Sequence, residues 1–541
     1  MASQLQTASI AAPGFYGLNT QESSITLSSG FALKAQNCVI DKYGRIGARR
    51  GWTPVNTTVN TDLGAANPVE FIFEVVTGGG TEVLSAGNNK LFVGSTTMVT
   101  KTVRNAANNG DATYTITANN WQGAALSYGD VSDFQPHVYL AQAGHPMLVW
   151  HELPVAGGGF NDHDSGTFGF QRVGDDARLP PNHNTASFMP SWVLSAYGRI
   201  WCGGISGDTQ TVYFSDLLAG TDFKNGSAGY LNLQEVLPNG DPVIAAAAHN
   251  GFIIFFGRKN TAIYANPLDT AALTLVEVLN NVGCVARDSV QSIGTDVLFL
   301  SDAGVRSLQR VIQEKSLPMR DISKNVRDEL MSAVASETDL TKIKSIYFER
   351  DAIYLLTLPT TRFVYCFDTR AALQDGSMRV TIWDSLEPKA FAVTQDRNLL
   401  IGKPGYIGKY FGHSDNGSVY RMQYFTNYFD FDAATALKIL KKIGFVLIGG
   451  TNQSVSVKWG FDYTEGYQAT TYTLDTAVVY EYNIGEYNLA EYSSGIVLDR
   501  FSVHAGGQGT VMQIGIEADI NGNPLSIQKI DVGIKQGKTL V

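Results

Sequence analysis

The sequence predicts a mainly β protein, a β-propeller of about six or seven blades followed by a β-sandwich-like domain. Three observations carry that expectation. The first is composition: only 17% of the 541 residues are charged, against about 25% in typical domains, while the chain holds 55 Gly, 27 Phe, 24 Tyr and 7 Trp. Such a chain favours strands and tight turns over long helices. The second is a hairpin unit that recurs along the chain. The third is period-two alternation of apolar and polar residues after residue 410, the pattern of a half-buried antiparallel sheet.

The hairpin unit is a short apolar strand, a turn of Gly, Asn, Asp or charged residues, and a second apolar strand. It stands at 84–94 (LSAGNNKLFVG), 140–150, 194–204, 247–257 (AAHNGFIIFFG), 292–301, 347–356 and 393–402. Gly and Asn supply the positive φ that two-residue turns require. Measured between turns at Asn88, Gly144, Gly198, Gly251, Asp296, Asp351 and Arg397, the spacing runs from 45 to 56 residues. One four-stranded propeller blade consumes about that length. A single blade cannot bury both of its faces, and a closed ring of blades covers them. No WD or kelch signature stands in these units.

One segment departs from the β pattern. After Pro318 and Asp321, which suit a helix start, Ile322, Val326, Leu330 and Val334 recur every four residues. That is one face of a short helix, expected to pack on the propeller flank. Beyond 410, Val455, Val457, Trp459, Phe461 and Tyr463 share one face of a strand. Met512, Ile514, Ile516, Ala518 and Ile520 share another, and Ile530, Val532 and Ile534 align in a third. The run 436–449 fits helix or strand, and its β-branched end favours strand.

Charge narrows the function. With 40 Lys and Arg against 50 Asp and Glu, the net charge is −10. A general nucleic-acid binder needs a basic footprint to release counterions from phosphates, so that class is disfavoured. Residues 1–15 lack the positive charge and apolar run of a secretory signal. The nearest approach to a membrane span, Val243 to Phe256, is interrupted by His249, Asn250 and Gly251. Cys38, Cys202, Cys284 and Cys366 lie at least 82 residues apart without a CxxC pair, and read as buried free thiols.

Candidate chemistry is sparse. His137, His145, His151, His163 and His183 crowd into 47 residues. His145 and His151 would share a face of an extended strand, with His163 or Asp164 as a third metal ligand. Hydrogen-bonded or solvated histidines are the plainer expectation. Asp162 and Asp164 before Gly166 resemble the start of a calcium loop but lack its later ligands. The runs 78–81 and 505–510 lack the GK[ST] ending of a phosphate loop, and no GxSxG elbow occurs. No spacing singles out a carboxylate pair, and no repeated SxDxGxTW box is present. The expectation is a protein without enzymatic activity, cofactor or metal.

Two stretches resemble a known group. Residues 12–52, APGFYGLNTQESSITLSSGFALKAQNCVIDKYGRIGARRGW, carry an A-x-N-x-x-I segment (Ala35, Asn37, Ile40) and a G-R-I-G-x-R-x-G-W turn and strand from Gly44 to Trp52. Residues 506–538 form a closing run, and SLPMRDISKNV followed by SIYFERDAIYLLTLP stands between them. In this order they resemble the tail nozzle, or tail tubular protein B, group of short-tailed bacteriophages. The resemblance implies a propeller joined to a platform-like β domain, divided as an N-terminal platform or linker segment 1–66, a propeller 67–410 and a C-terminal domain 411–541. The platform would also take up the N-terminal segment.

It further implies a virion protein, made in the host cytoplasm and assembled as a hexameric ring on a tail adaptor (tail tubular protein A), with tail fibres as further neighbours. The ring would retain packaged double-stranded DNA and let it pass without specific binding. An acidic lumen would let DNA slide without trapping it. Arg45, Arg49 and Arg50, with Trp52, are the candidate subunit-interface residues, and cross-strand pairing is the plainer account of them. The loops at 105–120 and 156–166 are candidate gates. The competing reading is a carbohydrate-binding or carbohydrate-hydrolysing propeller, with Trp121, Trp150 and Trp192 as candidate sugar-stacking residues, although core packing is the plainer account of such residues.

Overall fold

The computed structural model describes residues 5–539 except 25, 78–79, 106–112, 128–135, 154–167, 174–177, 185, 295, 309–321, 434, 451, 465 and 475–495. The chain is mainly β and is arranged as a β-propeller. Among the described residues, six sheets in the ring are complete four-stranded blades, and a three-stranded sheet fills a place between the fourth and the last two.

The first blade is Phe71–Thr77, Gly80–Gly87, Lys90–Val93 and Val99–Lys101. The second is Gln122–Ala125, Val138–Gln142, His145–Glu152 and Phe168–Arg172, extended by Val103–Arg104 and Thr113–Tyr114. The third runs Trp192–Ala196, Arg199–Ile205, Asp208–Phe214 and Gly229–Asn232, and the fourth Val243–His249, Phe252–Gly257, Thr261–Ala265 and Thr274–Leu279. The three-stranded sheet holds Gln291–Ser292, Val297–Ser301 and Gly304–Ser307. The next blade holds Lys344–Phe348, Ile353–Leu358, Phe363–Ala372 and Met378–Trp383.

The last blade has three strands from the end of the propeller, Phe391–Val393, Leu399–Lys403 and Tyr406–Tyr410. Its fourth comes from the N-terminal segment, Trp52–Pro54, pairing Trp52 with Tyr410. The first strands of neighbouring sheets touch in sequence, and Phe391–Val393 returns to Phe71–Thr77, which closes the ring.

The packing shows why the repeat unit must form a ring. Alternate residues of one strand enter the apolar layers on its two sides. Ile253 and Phe255 pack with Trp201 and Val212 of the preceding blade, while Ile254 and Phe256 pack with Val297 and Phe299 of the following sheet. The layers repeat this way to Ile72, Val83 and Phe92, which meet Ala392, Leu400 and Ile407 across the closure. At roughly 25 cal/mol per Å² of apolar surface removed from water, each layer stabilises two blades and neither blade could form it alone.

All seven sequence hairpins are present, and their turns carry the expected left-handed residues, among them Asn88, Gly144, Gly198, Gly251 and Arg397. The unit at 84–94 joins the second and third strands of its blade. So does the unit at 140–150, whereas four of the others join the first and second strands of a four-stranded blade, so the first two units are read one strand out of phase. The helix spans Arg327–Ala335, and Ile322, Val326, Leu330 and Val334 are all buried beside Leu300 and Val305 of the three-stranded sheet. Pro318 and Asp321 lie outside the described residues.

The N-terminal segment and the residues after 410 form two further sets of strands. Tyr420–Thr426, Met512–Ile520, Ser454–Phe461 and Gln468–Thr473 join Phe31–Gln36 and Gly17–Leu18, and through these continue the sheet of Met378–Trp383. Hydrogen bonding therefore runs across residue 410 without a break. Ala436–Gly450, a strand throughout, pairs with Ile496–Val503 and Leu525–Thr539, and the latter also pairs Leu5–Ala11 and Ile46–Ala48. One apolar core takes Ile443, Phe445 and Ile530 from this sheet and Val457, Ile514 and Tyr424 from the other. The four cysteines are free and buried, and burial pushes the Cys284 thiol up to about 11.

Candidate assembly surface

The arginine cluster that the sequence singles out is an internal joint. Arg49 is fully buried, and all five of its N–H donors are used. Its Nη1 and Nη2 bind Asp415 at 2.9 and 2.6 Å, and Nη1 also reaches the Arg50 carbonyl at 2.8 Å. Nη2 donates to Ser385 Oγ at 2.7 Å and Nε to Asn37 Oδ1 at 3.1 Å. The guanidinium lies 4.0 Å from the Tyr420 ring. Burial works against its charge, but Asp415 outweighs that and holds the Arg49 pKa above the ordinary value. Trp52 is 7% exposed, beneath the Lys403 ammonium.

Arg49 and Trp52 are buried inside the chain, because the tertiary fold closes over them. Arg45 binds Asp41 at 2.6 Å and Arg50 faces Asp351 at 3.5 Å, both within the chain. Asn37 and Arg49 meet here and tie the N-terminal segment to the end of the last blade.

Beside this joint sits His413. Burial, with the Arg50 charge nearby, pushes its pKa down to about 4. An imidazole kept neutral in the fold but free to protonate near pH 6.5 when unfolded contributes stability that is complete above pH 6.5. That contribution is lost as the pH falls through about 4, and amounts to roughly 3 kcal/mol. A His413→Phe chain should therefore lose less stability than the wild type between pH 6.5 and 4, as measured by urea unfolding. Equal losses in both chains would refute the assignment.

The other sequence candidates separate. His137 and His151 are buried with ring centroids 5.2 Å apart, and His151 Nε2 lies 3.0 Å from Gln171 Oε1. His183 lies 2.9 Å from the Tyr213 hydroxyl, and His145 lies against Trp121. Among the described residues no group of three His, Cys, Asp or Glu could hold a metal. Trp121, Trp150 and Trp192 are 1%, 0% and 1% exposed, so they are blade core and unavailable for stacking on a sugar. The expected loop at 156–166, with His163, Asp162, Asp164 and Gly166, lies outside the described residues, as do 106–112 of the other loop.

At the ring centre Asp288 accepts from Arg287 Nη2 at 2.8 Å and Lys344 Nζ at 2.6 Å. Burial pushes the Asp288 carboxyl up, but the two cations outweigh it and hold its pKa below the usual carboxylate range. A carboxylate held ionised in this way is unsuited to proton donation. Arg287 also donates to the carbonyls of Ser191 at 2.7 Å and Asn120 at 3.1 Å, so it fastens three sheets around the axis.

Outside, apolar exposure is uneven. Leu217, Leu218, Tyr230, Phe252, Leu268, Leu275 and Val276 are all exposed, by 36% to 69%, and all belong to the third and fourth blades. Their elements touch: the Tyr197 hydroxyl donates to the Phe252 carbonyl at 2.8 Å, and Thr270 reaches the Ser227 carbonyl at 3.4 Å. Leu275 and Val276 lie on the outermost strand of their blade and Tyr230 on the outermost strand of its neighbour. Concentrated apolar surface of this kind is a candidate interaction site, and sequence periodicity could not find it because it joins turns far apart in the chain. Residues 192–279 carry seven acids against four bases. In the ring the last blade sits between the first blade and the sheet before it, so it lies across the ring from the third and fourth blades. It exposes Phe411 and, just beyond it, Val419, with Lys409 Nζ 5.5 Å from the Phe411 ring centre, and outside the buried Lys403 its residues 391–411 carry two bases, Arg397 and Lys409, against one acid, Asp396.

No family model and no curated protein matches the chain. Among solved structures, it is similar to a glycoside hydrolase family 43 arabinoxylan arabinofuranohydrolase from Bacillus subtilis, at 9% identity and a TM-score of 0.28, over 89% of this chain and 99% of that one. It is also similar to the extracellular domain of a putative one component system from B. thetaiotaomicron, at 12% identity and 0.39, over 84% and 60%. The WD40 domain of Toxoplasma gondii coronin matches at 12% and 0.31, over 71% and 87%.

Proposed function

We propose that this chain is a structural tail protein of a short-tailed bacteriophage, which forms a ring-shaped nozzle at the distal tail tube, retains packaged DNA and lets it pass during ejection. The observation that carries the reading is the pair of unlike surfaces. An apolar, acidic face on the third and fourth blades and an apolar, basic corner on the last blade suit one another, and a ring of identical copies repeats one such heterologous contact. The occupant of the first face is therefore a second copy of the chain, through its Phe411 and Val419 corner.

The phage-like motif supports the reading in a second way. Asn37 and Arg49 act as a joint within the fold, which is a mechanical use of a sequence signature rather than a catalytic one. The competing carbohydrate-hydrolase reading is weakened because its three tryptophans are internal.

The test is gold-labelled antibody against this chain, applied to phage particles from an infected lysate and viewed by electron microscopy. Label at the far end of a stubby tail is the expected result. Label on peripheral fibres would favour a receptor-binding protein, and unlabelled particles would reject the virion assignment.

A further inference from the structure

The outer face of the sheet formed by Tyr420–Thr426, Met512–Ile520, Ser454–Phe461 and Gln468–Thr473 carries a polar groove of about 400 Å³. Its floor follows from register. Thr471 pairs with Ser456, and Ser456 with Glu517, so the three stand side by side across three strands. Two residues along, Ser454 lies on the same face as Ser456, and Asp519, opposite Arg421, on the same face as Glu517. Arg421 and Lys458 both bind Glu517. Two turns wall the groove, one with Asn452 and Gln453 and the other with Asn521 and Asn523. The turns press together, since a Cβ on Gly450 would collide with the Asn523 side chain.

One group here is incompletely used. Gln453 is 92% buried, and its Oε1 accepts from the Gly450 N–H at 3.1 Å. Its Nε2, shielded from bulk solvent, has no hydrogen-bond partner among the described residues. A buried donor left open is costly, and in a native fold it is normally met by a ligand or an ordered water.

From this groove we infer a binding site for a neutral saccharide of one or two rings. The volume falls within the range of about 300–1,000 Å³ seen for small-molecule sites. The lining sets the class. Amides of Asn452, Gln453, Asn521 and Asn523 offer paired donors and acceptors, and Ser454, Ser456 and Thr471 add hydroxyls, a set that matches neighbouring hydroxyls of a sugar ring. An anion would meet Glu517 and Asp519 with the groove's one arginine already engaged. An apolar ligand or a side-chain anchor of a peptide would find only Ala518. The inference does not depend on the assignment of the assembly surfaces.

The test is calorimetric titration of the full-length protein with D-glucose, D-galactose, N-acetylglucosamine, maltose and lactose, with inorganic phosphate and Ca²⁺ as controls. Saturable binding of at least one sugar is expected, weakened about tenfold by Gln453→Leu through loss of the open donor. Asn523→Ala, at an exposed turn position, should weaken it similarly with an unchanged melting curve, and keeps the test valid if the buried substitution misfolds. The inference is overturned if none of these sugars binds. It is also overturned if both variants bind like the wild type, or if phosphate or Ca²⁺ alone occupies the groove.

Discussion

Replacing Arg49 with alanine lowers the unfolding free energy by about 3–5 kcal/mol, the range found when one partner of a buried ion pair is removed. Asp415 would keep its charge in a site with its side chain only 12% exposed. Ser385 and Asn37 would lose their guanidinium donor, and Tyr420 its stacked cation. Arg49→Lys recovers little, because an ammonium on one stem cannot reproduce two parallel bonds to Asp415 and a third direction to Asn37. Asp415→Asn in the Arg49→Ala background should recover part of the loss by removing the stranded charge. The measurement is urea unfolding of the three chains. A loss below about 1 kcal/mol for Arg49→Ala would show that the joint between the N-terminal segment and the last blade is not a principal fastening.

The second large effect concerns assembly. Leu218 and Leu275 are 57% and 45% exposed, so the double change Leu218→Asp, Leu275→Asp should leave the monomer's melting curve within about 0.5 kcal/mol of the wild type. If a second copy covers them, each contact loses about 1.5–3 kcal/mol of apolar burial per leucine. It must also bury two new carboxylates on an already acidic face. A weakening of a hundredfold or more follows. Sedimentation at rising concentration should carry the wild type from 58.6 kDa towards about 350 kDa for six copies, while the double variant stays monomeric. A variant that assembles as readily as the wild type would place the subunit contact elsewhere.

Both experiments turn on residues whose meaning changed between sequence and structure. Arg49 stands in the densest basic cluster of the chain, and local composition reads such a cluster as surface. Its partners Asp415 and Tyr420 lie more than 360 residues away, a separation over which no local pattern reports. The exposed leucines carry the opposite lesson. Leu218 and Leu275 look like any other apolar residues of a β chain, and only the fold leaves them outside.

The β class, the hairpin repeat and its ring logic, the buried face of the helix at Arg327–Ala335 and the strand at Ala436–Gly450 were all legible in the order of residues. These depend on alternation, turn residues and spacing, which are properties of neighbours along the chain. That Trp52–Pro54 completes the last blade, that one sheet runs across residue 410, and that Trp121, Trp150 and Trp192 are core became visible in the folded chain alone. The fold also brought Gln453 beside Asn523 and Glu517 in a groove. Each of these rests on pairing between strands distant in sequence. Such pairing is stabilised by the surface it buries and the hydrogen bonds it completes, and neither exists until the chain has closed on itself.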